Sequence, residues 1–99
     1  MKKVYLSGRI SGNESYLCEF AHWEQQLSAL GFSVINQARI LAAMPQDATY
    51  TEYMRISMAL LEISDYIFMI PGWGKSKGAK LEKHYADVLG KEEIYADFI

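Results

Sequence analysis

The chain has 99 residues, of which 51% are hydrophobic and 22% are charged, and its formal net charge at pH 7 is −2. This length predicts one domain, residues 1–99, whose core suffices for independent folding with little margin. A slightly acidic chain has no electrostatic attraction to nucleic acid, and no apolar run reaches the roughly 20 residues that span a bilayer, so neither partner is expected.

The first elements are a strand and a helix joined by a glycine-flanked loop. Residues 3–7 form a short run of β-branched, aromatic and aliphatic side chains closed by Gly8, which predicts a strand. A polar loop, residues 8–12, follows, and a helix is predicted over residues 14–30, with Gly31 where a glycine commonly ends a helix. Five apolar residues recur along this helix at helical spacing: Leu17, Phe20, Trp23, Leu27 and Leu30.

The middle of the chain predicts two strands and one helix. Residues 32–35 form the second strand, and the stretch 37–48, which contains Pro45, is expected to be irregular. Thr49 and Glu52 have the spacing of a capping box, which predicts the start of a helix that runs to residue 63. Residues 65–70 form a third strand, whose unbroken apolar run is typical of a strand covered on both faces.

A second glycine-rich loop, residues 71–78, leads into a predicted helix over residues 79–89, and a fourth strand over residues 93–95 follows. The order β-α-β-α-β-α-β predicts an α/β fold with three layers, a mostly parallel sheet of four to five strands flanked by helices, as in flavodoxin-like or Rossmann-like domains. Ligands of such sheets bind outside the carboxyl ends of the strands. Both glycine-rich loops fall at that edge, which therefore predicts a small-molecule site.

The first loop offers groups that bind an anion or a sugar. Its candidates are the backbone at Gly8, the hydroxyls of Ser7 and Ser11, and the guanidinium of Arg9, which suits phosphate or carboxylate. The alternative is a plain turn between a strand and a helix. Asn36, at the end of the second strand, is a further candidate at the same edge.

The second loop places Ser76 and Gly78 at the start of a helix, where free N–H groups and the helix dipole favour an anion. Ser76 is equally a candidate N-cap, and the two roles are compatible. Trp73 lies in the same loop, where its ring either stacks on a base or sugar or packs into the core.

Glu82 is the first candidate for the key residue. It shares a helical stripe with Ala79, Ala86 and Leu89, so its carboxylate is expected to be partly buried beside the strand ends, with a raised pKa. An exposed helix glutamate is the alternative. Tyr5 lies on the same strand face as Ser7, so its hydroxyl is placed either to donate a hydrogen bond to Glu82 or to pack in the core.

The remaining reactive side chains indicate no cofactor. His22 and His84 have no partner at metal-ligand spacing, so neither a metal nor another cofactor is expected. Cys18 is the single cysteine and is interpreted as a packing residue of the first helix. Without a second cysteine for a disulfide, and without a signal-peptide pattern, the chain is expected in the cytoplasm.

Two segments carry a family resemblance. Tyr5-Leu6-Ser7-Gly8-Arg9-Ile10-Ser11-Gly12, with Ser76-Lys77-Gly78-Ala79-Lys80-Leu81-Glu82 downstream, resembles the nucleoside 2-deoxyribosyltransferase superfamily. The similarity is greatest to the small nucleoside 5′-monophosphate N-glycosidase branch and to short phage-type relatives of unassigned activity.

The resemblance implies a reaction and roles for the residues at the site. By position, Glu82 corresponds to the family's nucleophile, which attacks C1′ of a deoxyribosyl unit and releases the base, and Tyr5 would orient it. Gly8, Arg9, Ser11 and Ser76 would hold the 5′-phosphate or sugar. The resemblance also implies a homodimer, as does the small core.

At one position the chain differs from the family. Ser57 stands where the family usually has the aspartate that protonates the base, and Asp47 and Glu52 are the candidates to replace it. The sequence therefore favours an N-glycosidase or deoxyribosyltransferase-like enzyme acting on a nucleoside or its 5′-monophosphate. The alternatives are a catalytically weak or inactive nucleotide-binding module with the same pocket, and an interaction protein with no small ligand.

Overall fold

Four parallel strands form the centre of the protein. The computed structural model describes residues 2–99, so Met1, with which the predicted domain begins, lies outside the described residues. The strands are β1 (Lys3–Ser7), β2 (Ser33–Ile35), β3 (Tyr66–Met69) and β4 (Glu92–Ile94), and their order in the sheet is β2-β1-β3-β4. Every pairing is parallel, which confirms the predicted α/β fold.

The strand order explains where a ligand site forms. After β1 the chain adds β2 on one side, and it then returns to add β3 on the other side of β1. Such a reversal opens a crevice at the carboxyl ends of the two strands, because the loops leaving them turn to opposite faces of the sheet. Ser7 at the end of β1 pairs with Met69 at the end of β3, so both glycine-rich loops begin at this crevice.

The helices are α1 (Tyr16–Ala29), α2 (Gln37–Ala42), α3 (Tyr50–Glu62) and α4 (Lys77–Leu89), with short 3₁₀ turns at Trp73–Lys75 and Ala96–Phe98. Gly31, predicted to end the first helix, and Gly90, which follows α4, both adopt positive φ angles that glycine reaches without strain. No helix within residues 2–99 is long and apolar enough to cross a membrane.

The expectation that residues 37–48 are irregular is wrong in its first half, because α2 occupies Gln37–Ala42. Asn36 caps this helix, and its Oδ1 atom accepts a hydrogen bond from the backbone N–H of Arg39 at 3.1 Å. The segment that follows Asn36 consists largely of good helix formers. The cap and the composition together identify the helix, and Pro45 lies beyond its end.

The two faces of the sheet bury separate apolar clusters, because successive strand residues point to opposite faces. One cluster contains Val4 and Leu6 of β1 and is covered by α1 and Ala38 of α2. The other contains Tyr5 of β1 and is covered by α3 and α4. The sheet therefore lies between two helical layers, and Tyr5 faces the layer that contains Glu82.

The predicted apolar stripe of α1 is only partly buried. Phe20 and Leu27 are fully buried, whereas Leu17 and Leu30 are 47% and 57% exposed. The helix is longer than the strands beneath it, about 21 Å against about 17 Å for β1, so its ends extend past the core. The interpretation of Cys18 as a packing residue is also wrong, because Cys18 is exposed on the outer face of α1.

The capping box at the start of α3 gives a stability prediction. Thr49 Oγ1 accepts from the N–H of Glu52 at 3.1 Å, and Glu52 Oε1 accepts from the N–H of Thr49 at 2.8 Å. We expect Thr49→Ala to lower the free energy of unfolding by about 1 kcal/mol in urea denaturation. Thr51→Ala, an exposed change two residues further along, is the control and should stay within about 0.5 kcal/mol. Equal losses in both variants would contradict a role for the cap.

Candidate active site

The carboxylate of Glu82 is buried between α4 and the carboxyl end of β1. Glu82 is 3% exposed, and each of its oxygens accepts a hydrogen bond from a side chain of β1. Tyr5 Oη donates to Oε2 at 2.6 Å, and Ser7 Oγ donates to Oε1 at 2.5 Å. Both donors lie on one face of the strand because they are two residues apart. The strand therefore fixes the position of both carboxylate oxygens.

The environment of Glu82 acts on its pKa in two opposite directions. Burial is the largest influence and raises the pKa of the carboxyl above its ordinary 4.5, because it disfavours the charged form. The hydroxyls of Ser7, Tyr5 and Ser57 lower the pKa by stabilising the carboxylate, but burial prevails. The pKa of Tyr5 is raised well above 10.0, chiefly by burial and then by the charge of Glu82, so Tyr5 remains a hydrogen-bond donor.

Glu82 lines a cavity of about 530 Å³ at the carboxyl ends of the strands. This volume is within the range of about 300–1,000 Å³ that is usual for small-molecule sites. Most of the wall comes from the loop after β1, the segment from α2 to α3, and the first turns of α4. The lining residues are Gly8, Ile10, Ser11, Tyr16, Gln37, Ala38, Leu41, Ala42, Met44, Gln46, Tyr50, Tyr53, Met54, Ser57, Ser76, Gly78, Ala79 and Glu82.

Except for Ser57, the part of this lining that α3 contributes was not singled out from the sequence as part of a site. One face of α3 contributes Tyr50, Tyr53, Met54 and Ser57 to the cavity wall. Their spacing of three and four residues is that of a helix face. This spacing was visible in the sequence, but residues on the core-facing side of a helix have the same spacing. Only the position of α3 beside the strand ends separates the two interpretations.

Gln37 is the second unexpected feature of the wall. It is 2% exposed and lines the cavity, yet its Oε1 atom is buried with no hydrogen-bond partner among the described residues. Leaving a buried polar atom unpaired costs roughly 1–3 kcal/mol, so such atoms are uncommon in folded proteins. Within residues 2–99, the structure therefore leaves one buried acceptor of the wall unpaired.

Four of the residues proposed from the sequence to bind substrate line the cavity, namely Gly8, Ser11, Ser76 and Gly78. Ser76 is also the N-cap of α4, since its Oγ accepts from the N–H of Ala79 at 3.1 Å. Ser7 enters the site through its hydrogen bond to Glu82. The two glycine-rich loops are thus joined around one carboxylate.

Three other proposed residues lie outside the cavity wall. Arg9 donates to the carbonyl of Gly12 at 3.1 Å and lines a separate cavity of about 160 Å³. Asn36 is occupied by its cap and by a bond from Nδ2 to Glu24. Trp73 is half-buried and packs against the cluster beneath α3 and α4. The structure does not bring these three side chains to Glu82.

The two carboxylates considered as replacements for the family's proton donor are not in the cavity wall either. Glu52 is exposed and engaged in the capping box of α3, and Asp47 is exposed in the preceding turn. Ser57, which takes the donor's position, is 1% exposed and lies beside Glu82 and Tyr5. Among residues 2–99, no group of three or more His, Cys, Asp or Glu side chains is placed to hold a metal ion.

Comparison with known proteins supports the resemblance of this chain to 2-deoxyribosyltransferases in fold. Residues 2–95 match the family model described as Domain of unknown function (DUF4406). Among solved structures, the chain is similar to a 2-deoxyribosyltransferase from the psychrotolerant bacterium Bacillus psychrosaccharolyticus, with a TM-score of 0.76 and 22% sequence identity. The match covers 94% of this chain and 70% of that one. No curated protein matches the chain.

The raised pKa of Glu82 predicts a dependence of stability on pH. As the pH rises through the ordinary value of 4.5, the unfolded chain loses this proton before the folded protein does. Ionisation of Glu82 therefore lowers the free energy of unfolding. This loss is absent below pH 4.5 and reaches its full size above the pKa of Glu82 in the folded protein. Glu82→Gln removes this effect.

We expect the unfolding free energy of Glu82→Gln, relative to that of the unaltered protein, to increase as the pH rises above 4.5 in urea titrations. Glu92→Gln, at an exposed position of β4, is the control and should show no such trend. A difference for Glu82→Gln that is the same at every pH would contradict the raised pKa.

Proposed function

The chain belongs to the family described as Domain of unknown function (DUF4406), and we propose that it is an N-glycosidase or deoxyribosyltransferase-like enzyme. Its substrate would be a (deoxy)nucleoside or the 5′-monophosphate of one. The observation that carries this proposal is the buried Glu82 carboxylate, held by Tyr5 and Ser7 at the wall of a cavity large enough for a nucleoside.

In the first proposed step, a carboxylate oxygen of Glu82 attacks C1′ of the sugar. The bond from C1′ to the base nitrogen breaks, its electron pair leaves with the base, and a glycosyl ester with Glu82 forms. Hydrogen bonds from Tyr5 and Ser7 use only part of the acceptor capacity of the two oxygens, so a lone pair remains for attack. The same bonds prevent rotation of the carboxylate.

In the second step, water or a second base attacks C1′ and releases Glu82. Water gives hydrolysis, and a second base gives transfer of the sugar. Both outcomes follow from the same ester, because a carboxylate nucleophile divides one difficult substitution into two easier ones. The raised pKa of Glu82 fits this role, since a more basic carboxylate bonds more readily to an electron-poor carbon.

The remaining lining suits the two halves of a nucleoside. Ser11 and Ser76 offer hydroxyls to a sugar, and the free oxygen of Gln37 offers an acceptor to the N–H edge of a base. Three tyrosines and two methionines of the wall, Tyr16, Tyr50, Tyr53, Met44 and Met54, offer apolar surface to the ring of the base. The chain is similar in fold to a 2-deoxyribosyltransferase that is described as a biocatalyst for the synthesis of nucleosides. This similarity supports a nucleoside as the substrate.

A catalytically weak binding module with the same pocket is the second candidate. It is favoured by one observation: Glu82 is the only carboxylate among the lining residues, whereas glycoside cleavage by retention normally uses two. A binder would show a ligand-dependent rise in melting temperature without release of base. Turnover therefore separates the two candidates.

Base release is the direct test of the proposed enzyme. We expect the protein to release free base from at least one member of a panel of nucleosides and 5′-monophosphates, as seen by chromatography. Glu82→Gln should lower the rate by about 10⁴-fold or more, because the amide is not a nucleophile. Glu92→Gln, at an exposed site on β4, should leave the rate unchanged. Release that survives in Glu82→Gln would contradict the assignment of the nucleophile.

The unpaired oxygen of Gln37 gives a second test. Gln37→Leu removes a buried atom without a partner, so we expect the free energy of unfolding to rise by about 1 kcal/mol without ligand. Nucleoside binding, measured by titration in the Glu82→Gln background, should weaken by about tenfold or more. Gln25→Leu, on the exposed face of α1, should not change binding. Unchanged binding in Gln37→Leu would exclude contact with the ligand.

A further inference from the structure

Cleavage of a nucleoside leaves the base with a negative charge unless a proton reaches it, and a positioned acid usually lowers this barrier by about 10²–10⁴-fold. The cavity contains one carboxylate, Glu82, which the proposed function uses as the nucleophile. Ser57 occupies the position of the expected acid, and a serine hydroxyl is too weak an acid for this task. The donor must therefore be another group of the wall.

The residues that line the cavity leave tyrosine as the candidate residue type for the proton donor. No aspartate, histidine, lysine, arginine or cysteine is among the described residues of the wall. The amides of Gln37 and Gln46 donate hydrogen bonds but do not release a proton. The hydroxyls of Ser11 and Ser76 are acids as weak as that of Ser57. The remaining groups with a dissociable proton are the phenols of Tyr16, Tyr50 and Tyr53. Tyrosine is an established general acid in proteins.

The positions of the three tyrosines differ. Tyr16 begins α1 and packs against the cluster on the sheet face opposite Glu82. Tyr50 is 54% exposed at the rim, and its hydroxyl lies 3.7 Å from where a Cβ on Gly78 would be. Tyr53 is half-buried in the wall of the cavity. Of the three, Tyr53 combines burial with a position on the Glu82 side of the sheet.

Tyr53 lies one turn of α3 away from Ser57, the residue beside Glu82. It precedes Ser57 by four residues on the same face of α3, so the two positions are about 6 Å apart along the helix. Ser57 lies beside Glu82. Retaining glycosidases place the nucleophile and the acid on either side of the sugar. Tyr53 and Glu82 line the same cavity, as two groups that act on one bound sugar must.

We propose that Tyr53 is the general acid that protonates the departing base, an inference that rests on the proposed glycosidase function. As the bond from C1′ to the base nitrogen breaks, that nitrogen takes the proton of Tyr53 Oη, and Glu82 bonds to C1′. In the hydrolytic second step, the tyrosinate takes a proton from the water that attacks C1′. The overall change is one water consumed, with free base and free sugar formed.

The test uses two substrates that differ in their need for a proton. The base of 2′-deoxyguanosine must be protonated to leave as a neutral molecule, whereas the positively charged base of 7-methyl-2′-deoxyguanosine leaves neutral without a proton. We expect Tyr53→Phe to lower kcat for 2′-deoxyguanosine by about 10²-fold or more. For 7-methyl-2′-deoxyguanosine, kcat should fall by less than about threefold after subtraction of the spontaneous rate.

Two further variants complete the experiment. Tyr66→Phe, at a half-buried position of β3 outside the cavity, should leave both rates unchanged. Tyr50→Phe tests the competing phenol, and a loss that depends on the leaving group in this variant instead of Tyr53→Phe would overturn the proposal. Equal loss for both substrates in Tyr53→Phe would also overturn it, since a change in packing affects them alike.

Different results would exclude the glycosidase function and the role of Tyr53. If the unaltered protein releases base from neither substrate nor from the wider panel, the glycosidase function fails, and the role of Tyr53 fails with it. If base is released and depends on Glu82 but not on Tyr53, only the assignment of the acid is wrong. Melting curves of each variant show whether a loss of rate reflects a loss of fold.

Discussion

The contact between Glu82 and the hydroxyls of Tyr5 and Ser7 determines much of the surrounding structure. A carboxylate taken out of water is stable only where donors replace its hydration. Both donors come from β1, whose alternate residues face the same helical layer. The short residues of the stripe, Ala79 and Ala86, are buried on either side of Glu82, so α4 approaches the sheet closely enough for the contact to form. Packing and chemistry thus require the same arrangement of α4 on β1.

The cavity follows from this arrangement together with the strand order. The loops after β1 and β3 leave the sheet at neighbouring positions, and α3 lies next to α4 on the same face. The space at the strand ends is closed on its remaining side by α2 and the residues that follow it. Asn36 and Arg39 tie α2 to α1, because both contact the carboxylate of Glu24, at 2.9 Å and 2.8 Å. The wall is therefore supported by the layer on the opposite face of the sheet.

The sequence predicted the parts of this structure that depend on local chemistry. The apolar strands, the capping box at Thr49 and the burial of Glu82 all follow from the spacing of a few residues. It predicted only some of the polar side chains that reach the cavity: Ser11 and Ser76 line it as proposed, whereas Arg9 does not and Gln37 was not foreseen. Arg9 is adjacent to the site in sequence, but its guanidinium finds the nearby carbonyl of Gly12. Gln37 lay in a segment expected to be irregular, and its placement depends on how α2 packs across the chain. These outcomes are set by tertiary contacts that no local pattern contains.

The division of the cavity wall between two parts of the chain has a consequence for ligand specificity. Glu82 and its two partners belong to β1 and α4, which are fixed by the core of the domain. Six other lining residues come from the single short segment 37–46: Gln37, Ala38, Leu41, Ala42, Met44 and Gln46. Most of that segment is connection and surface helix, where substitutions and insertions are tolerated. Changes confined to this one segment therefore alter which molecules fit the cavity, while the contacts of Glu82 with β1 stay intact.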